Sequence, residues 1–437
     1  MFSRNWSWEG RMTASRSDSY YIATAIGQRA RAQLNGARET DVCVIGAGYT
    51  GLSCALHLAK AGMKVVVLEA ETAGFGASGR NGGQVITGQR VDQDELERRY
   101  GEAHARSLWN LALDARSLVR ALIASNAIEC DESPGHFTAA VRESHARDLE
   151  SYVEFLQARY NYSTARYVPG AQVPEIVACH NYKGGMLDSA SFHLHALNYA
   201  LGLARASDEA GVEIFEHVPA RRVDHGNNVR IETANGSVSA KFVVYACNAY
   251  LGDLNRTLAR TIMPISNYIA TTEPLGDSRA KALIPSGAAV ADTKFVLDYY
   301  RLTADGRLLF GGGESYGGRD LAKVAEIVRP HIERVFPQLK GVKIDHAWGG
   351  RLAITMPRLP HLGRLTPNAY FAQGYSGQGV AIATLAGKLI AEAIQGQAAR
   401  FDVYASLKIP ELPGGTLFRK PLLALALTWY ALRDRLG

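Results

Sequence analysis

Residues 41–69, DVCVIGAGYTGLSCALHLAKAGMKVVVLE, leave this chain few folds to choose from. Residues 42–45 form a short apolar, β-prone run of the kind buried on both faces in a parallel sheet. A glycine turn follows, in which Gly46 permits the tight turn, Gly48 lets backbone approach a pyrophosphate, and Gly51 lets the next helix pack on its strand. Residues 51–61 carry Leu52, Ala55, Leu56 and Ala59 at helical spacing and stop at Gly62. The free N–H groups and positive dipole end of that helix face the turn, where phosphate oxygens are well held. The strand 63–68 ends in Glu69, eighteen residues past Gly51 and close to the ~20 expected of an acid that accepts from ribose hydroxyls. A carboxylate there repels a 2′-phosphate, which disfavours NADP. Three glycines alone fit any tight turn. Strand, turn, helix, strand and acid in this order predict a dinucleotide site, with Ala47 and Thr50 in the turn and Ala70 beside the acid. FAD and NAD share the element, so later residues must separate them.

Bulk properties exclude several other classes. With 437 residues the chain is long enough for about three domains' worth of core. A net charge of +6 is spread along the chain and not interleaved with aromatics in a stripe, so nucleic acid is not an expected partner. The five cysteines, at 43, 54, 130, 179 and 247, are far apart and odd in number, which fits neither a disulfide framework nor a metal site. A reducing cytoplasm fits them. No secretory h-region is visible, an Arg- and Ser-rich transit peptide stays open for residues 1–17, and Met12 is an alternative start. The apolar run 421–432 is too short to span a bilayer and reads as a docking helix.

After Glu69, residues 71–84 read ETAGFGASGRNGGQ, with glycines at 74, 76, 79, 82 and 83. A flexible linker would not need Arg80 and Asn81 fixed among those glycines. The segment is therefore expected to run along a pyrophosphate and a flavin ring, with Gly76, Ala77, Gly82 and Gly83 in contact, Ser78 and Arg80 as phosphate donors, and Asn81 pinning the turn. Residues 91–124 suggest two amphipathic helices, and 143–160 and 197–210 further helices. Residues 184–195 read as a hinge between domains. At 217–220 the Val218 backbone is placed to hold an adenine. Asn235-Gly236 and Asp305-Gly306 mark hairpins, and 262–272, 295–300 and 308–312 are expected strands of a large, mostly antiparallel sheet. Finally 369–379, AYFAQGYSGQG, is a strand entering a glycine turn and a helix, 380–395. Its N-terminus, through Gly374, Ser376, Gly377, Gln378, Gly379 and Val380, is expected at the O2 edge of a flavin, where a helix dipole stabilises negative charge.

The segments VIGAGYTGLSCALHLAKAG, LEAETAGFGASGRNGGQ, LDYYRLTADGRLLFGGG, FPQLKGVKIDHAW and GYSGQG together resemble FAD-dependent amine oxidases of the D-amino-acid-oxidase, glycine-oxidase and sarcosine-oxidase superfamily. Within it the likeness is to gamma-glutamylputrescine oxidases and related glutamylpolyamine oxidases. The resemblance implies a mixed α/β fold. A Rossmann-like FAD domain (41–95, 192–255 and 345–400) is interrupted by a substrate domain (96–191 and 256–344), with an arm at 1–40 and a docking segment at 401–437. It also implies oxidation of a terminal primary amine to an aldehyde, with ammonia and hydrogen peroxide as products and molecular oxygen as acceptor. A glycine, sarcosine or D-amino-acid oxidase or dehydrogenase is the alternative. Sarcosine-type members bond a cysteine to the flavin shortly before the last glycine turn. Residues 349–360 contain none, so FAD is expected to be non-covalent. Those members also place a lysine near the flavin where this chain has Leu308, Leu309 and Phe310, which leaves oxidase against dehydrogenase open, as is the oligomeric state.

Hydride transfer needs a neutral amine, and an apolar aromatic pocket disfavours the ammonium form. Tyr268, Tyr299, Tyr300 and Tyr316 are the aromatic candidates in the predicted sheet. Alternation turns Tyr299 and Tyr300 to opposite faces, and Tyr300 is taken as the one at the site. Gln84 falls where the glycine loop passes the ring, facing substrate. Arg351 is the expected partner of the glutamyl carboxylate, although a structural ion pair explains it as readily. His193 and His361 read as structural, and no metal is expected.

Overall fold

The computed structural model describes residues 19–315 and 323–415. Tyr316, the start of the arm and the 421–432 run lie outside them.

Two sheets organise the fold. In the first, the strands run His361–Thr366, Ala369–Gln373, Gly236–Tyr245, Gly36–Ile45, Val65–Leu68 and Glu213–Phe215, and the last five are mutually parallel. The central strand is buried on both faces, as its uninterrupted apolar run requires. Val42 and Val44 pack with the helices Tyr49–Lys60, Ala196–Glu209 and Val380–Ile394, while Cys43 and Ile45 pack with Phe215, Val218, Ile231 and Val238. This strand begins at Gly36 and not near 41, because residues 36–40 pair in register with 236–240. The arm is shorter by that much. The Asn235-Gly236 hairpin forms as expected, joining Val229–Glu232 to Gly236–Tyr245.

The second sheet has nine strands and is antiparallel except where Ala289–Asp292 runs beside Ser133–Ala140. One face, carrying Tyr300, Phe310 and Ala270, packs on Val328, Ile332 and Val335 of the helix Val324–Val335. The other face, with Leu309, Ile269, Trp348 and Tyr299, packs on Tyr20, Tyr21, Ala196 and Leu197. Two boundaries differ from the sequence reading. Gly184–His193 is a ten-residue strand paired with 84–85, 133–140 and 165–169, so it is no hinge. Ile344–Ile354 pairs along its length with Met263–Thr272, which puts 345–354 in the second sheet and returns the chain to the first only at His361.

Among the described residues no helix is long and apolar enough to cross a membrane, and no cluster of His, Cys, Asp and Glu has the makings of a metal site.

Candidate active site

At the first glycine turn Gly46 and Gly51 do what their spacing predicts. Gly46 has φ +109°, and a Cβ there would stand 2.8 Å from the Ala246 carbonyl of the neighbouring strand. At Gly51 a Cβ would lie 1.9 Å from the Gly46 carbonyl, so only glycine lets this helix begin so close to its strand. A Cβ on Gly48 would instead reach 2.9 Å from Ser78 Oγ. Tyr49–Lys60 has no side-chain cap of its own at Gly48, and Ser78 Oγ accepts from the Tyr49 N–H at 2.9 Å. Ser78, expected as a phosphate donor, therefore stands at the N-terminal end of this helix.

Glu69 stands where Val65–Leu68 ends. Its carboxylate accepts from the Ala47 N–H at 2.7 Å and the Glu71 N–H at 3.0 Å. Desolvation pushes its pKa up and those two N–H groups pull it down, with a net rise. The Val218 N–H donates to the Glu69 carbonyl at 2.8 Å, so its carbonyl is the part of that backbone left for an adenine.

The glycine-rich strip is held by Asn81, whose amide nitrogen donates to the Ala77 and Ser78 carbonyls at 2.9 and 3.0 Å and whose oxygen accepts from the Gly83 N–H at 2.7 Å. Arg80 is a correction. Its Nε donates to the Phe75 carbonyl at 2.7 Å and its Nη1 to the Gly349 carbonyl at 2.9 Å, while the guanidinium stacks 4.6 Å from the Phe75 ring. Buried and bonded in this way, it ties the strip to the strand 344–354 and is not chiefly a phosphate donor. Gln84 opens a two-residue strand, Gln84–Val85, and its side-chain nitrogen donates to the Val290 carbonyl at 3.2 Å. The strip thus ends inside the second sheet.

The last glycine turn closes against the first. Thr50 Oγ1 and the Tyr375 hydroxyl are 2.6 Å apart and buried, and the helices behind them touch where a Cβ on Gly387 would lie 2.3 Å from the Thr50 carbonyl. Gly374 (φ +74°) donates its N–H to Asn248 Oδ1 at 2.9 Å, and Ser376 (φ +53°) donates its N–H to the Ala353 carbonyl at 3.0 Å. Gln378 is anchored through its side-chain nitrogen to the Gly88 carbonyl at 2.9 Å. Val380–Ile394 starts at Gly379 without a side-chain cap, and a Cβ on Gly377 would meet open space. The helix end at Tyr49 with Ser78 on it, the uncapped end at Gly379, the acid at 69 and the room left at Gly377 fit a dinucleotide carrying a ring.

Tyr300 is the second correction. Its ring is fully buried between Phe310 and Phe336, and its hydroxyl donates to the Tyr182 hydroxyl at 3.1 Å, all on the far side of the sheet. Tyr299 is the one that lies against the glycine strip. The Cβ positions of Gly82 and Gly311 lie 2.7 and 2.0 Å from its ring carbons, and its hydroxyl donates to Asn267 Oδ1 at 2.5 Å. Arg351 is exposed, with no side-chain partner among the described residues. Gly350, whose Cβ position is 3.1 Å from Arg80 Cβ, occupies the glycine-strip face, so alternation turns Arg351 to the other face, away from Tyr299. His193 and His361 are structural as expected. Burial lowers the first to about 3 and the second to about 4, and they bond the Gly287 carbonyl and Thr261. Sequence reasoning missed Arg301, a buried guanidinium bonded to the Gly82 and Leu194 carbonyls. No spacing rule singles it out, because its partners are backbone atoms distant in sequence.

A parallel sheet with the glycine turn and acid of a nucleotide site, joined by a glycine strip to a second, mostly antiparallel sheet, is the architecture of a dinucleotide-dependent oxidoreductase. The chain belongs to the FAD dependent oxidoreductase family, whose model matches residues 41–393, and FAD is its cofactor. It is 44% identical to gamma-glutamylputrescine oxidoreductase of Escherichia coli over 96% of this chain and 99% of that one. It is 39% identical to a probable oxidoreductase of Haemophilus influenzae over 95% and 97%. Its fold matches glycine oxidase from Geobacillus kaustophilus with a TM-score of 0.71 at 20% identity, over 82% of this chain and 95% of that one.

Proposed function

We propose that this FAD-dependent enzyme oxidises the terminal primary amine of a glutamylated polyamine, gamma-glutamylputrescine first among them. Amine, oxygen and water give aldehyde, ammonia and hydrogen peroxide. The observation that carries the reading is the end-to-end 44% identity with the E. coli gamma-glutamylputrescine oxidoreductase. FAD, when bound, supplies the two-electron acceptor for the carbon bearing the amine. Gly48, Ser78 and the helix end at Tyr49 would hold its pyrophosphate and Glu69 its ribose. The absence of cysteine in 349–360 supports non-covalent binding, and the free cysteines suit a reducing cytoplasm.

The chain's own part is to position a neutral amine. The ring of Tyr299, set between Gly82 and Gly311, provides an aromatic wall that disfavours the ammonium form, with Gln84 at the mouth of the same strip. Arg351, turned off that face, has no role at the reacting carbon; its open guanidinium suits the carboxylate at the remote end of a long substrate.

Hydrogen peroxide release in air, with gamma-glutamylputrescine, putrescine, sarcosine and D-alanine supplied in parallel, tests the reading. Peroxide chiefly from the glutamylated amine is expected. Preference for sarcosine or D-alanine overturns the substrate assignment, and flavin bleaching without peroxide makes the enzyme a dehydrogenase.

A further inference from the structure

The residues just before the nucleotide-binding strand are bound into the back of the glycine strip. Tyr21 is fully buried, its ring set edge-on to Trp348 and His195 at 5.4 and 4.7 Å. Its hydroxyl donates to the Asn81 carbonyl at 2.8 Å and accepts from Arg301 Nη2 at 3.1 Å. Arg301, 2% exposed, then reaches both sides of the strip's exit: Nε to the Gly82 carbonyl at 2.8 Å and Nη2 to the Leu194 carbonyl at 2.9 Å. The Gly83 carbonyl in turn accepts from the Leu194 N–H at 2.8 Å. Trp348 completes the set, its Nε1 donating to the Arg80 carbonyl at 3.1 Å. Four consecutive carbonyls, 80 to 83, are thus each held from behind. The neighbouring Tyr20 fixes the same segment to the 305 hairpin through Asp305 Oδ1 at 2.9 Å, and Ile26 fixes it to Asn198.

Packing alone would not require this. A guanidinium needs solvent or good hydrogen bonds to be buried, and the hydrogen bonds named here are to carbonyls and a phenol. A strip of adjacent glycines, with Gly83 at φ +75°, has the greatest freedom to lose on ordering. Fixing its carbonyls from one side orients its peptide groups on the other.

We propose that Tyr21 and Arg301 form a positioning unit for the cofactor site, fixing the peptide planes of residues 80–83 so that the N-terminal aromatic pair acts on FAD retention through the glycine strip. This rests on the FAD site and is independent of the substrate assignment.

The test uses holoenzyme. Tyr21→Phe removes one oxygen and keeps the ring; Arg301→Lys keeps the charge and loses the fork. The rate of FAD loss on dilution is followed by the return of flavin fluorescence, well below Tm, alongside tryptophan-monitored unfolding. Loss of the bond that holds the Asn81 carbonyl, together with the hydroxyl's bond from Arg301, is expected to speed FAD release about three- to tenfold in Tyr21→Phe. The double variant should be no faster than the faster single variant, since both act through one unit. A release rate within twofold of the parent in a folded Tyr21→Phe, with Tm alone lowered, overturns the proposal and leaves Tyr21 a packing residue. Fully additive effects overturn the unit. Should Arg301→Lys fail to fold, Tyr21→Phe alone decides.

Discussion

Gly82→Ala asks whether Tyr299 belongs to the reacting site. Gly82 does not have a left-handed φ, so alanine is allowed by the backbone and the effect is steric. The new Cβ would stand 2.7 and 2.9 Å from Cε2 and Cδ2 of the Tyr299 ring, where carbons rest at about 3.5–4.0 Å. The ring must therefore retreat by roughly 1 Å. Behind it Gly311 leaves no free space, for its own Cβ position is 2.0 Å from the ring, and the hydroxyl is held by Asn267. Overpacking of this kind costs about 1–3 kcal/mol, and a displacement of 1 Å at a reacting centre costs about 100-fold in rate. The assay is anaerobic flavin reduction by gamma-glutamylputrescine, with the flavin spectrum and Tm measured on the same sample. A 10- to 100-fold slower reduction with flavin retained is expected. Combining Gly82→Ala with Tyr299→Ala should cost no more than Tyr299→Ala alone, because the clash has gone. Parental reduction rates in Gly82→Ala would refute the placement of Tyr299.

Arg351→Ala should raise KM for the glutamylated amine two- to fivefold and leave KM for putrescine alone unchanged, the modest size following from an exposed cation. Gly387→Ala pushes a Cβ to 2.3 Å from the Thr50 carbonyl, and scanning calorimetry should show a Tm several degrees lower. Burial raises the Asp298 carboxyl, but His331 and Lys294 outweigh it and hold the group near 2, below its ordinary 3.8. Its stabilisation is present above pH ~4 and lost as the pH falls toward 2. Urea midpoints should therefore show Asp298→Asn less stable by about 1–3 kcal/mol at pH 7, with the gap narrowing across that window. Asp292, raised by burial to about 6, works in the opposite sense, its share being lost as the pH rises through 6.

The nucleotide-binding element was legible because local rules determine it. Gly46 and Gly51 are each demanded by an atom within a few residues or beside the adjacent strand, and Glu69 by the length of one helix and one strand; Gly48 faces Ser78 Oγ, on the strip that follows. The helix Glu143–Tyr160 was readable for the same reason, its pattern being local, and it ends at Asn161 in the left-handed conformation. What the sequence hid depends on partners far away. Arg80 looks like an anion ligand until the Gly349 carbonyl, 269 residues on, occupies its Nη1. Alternation separated Tyr299 from Tyr300 without saying which side met the glycine strip; that is set by the helix 324–335 covering the Tyr300 face. Residues 184–193 looked like a hinge because glycine and small residues there let Gly185 pass beneath the Phe137 ring, where its Cβ position is 2.3 Å away.

The chain passes from the first sheet to the second after Leu68, back after His193, across again after Tyr245 and home after Ile354. Neither layer is therefore encoded by a continuous stretch, and the glycine strip is itself one of the four seams. The second layer cannot be lifted from a relative as a cassette, since any graft must rejoin the backbone at all four places, one of them through the glycine strip itself. For such an architecture, with the amine placed as proposed against Tyr299, new specificities are reached by replacing single side chains along that face and not by exchanging modules.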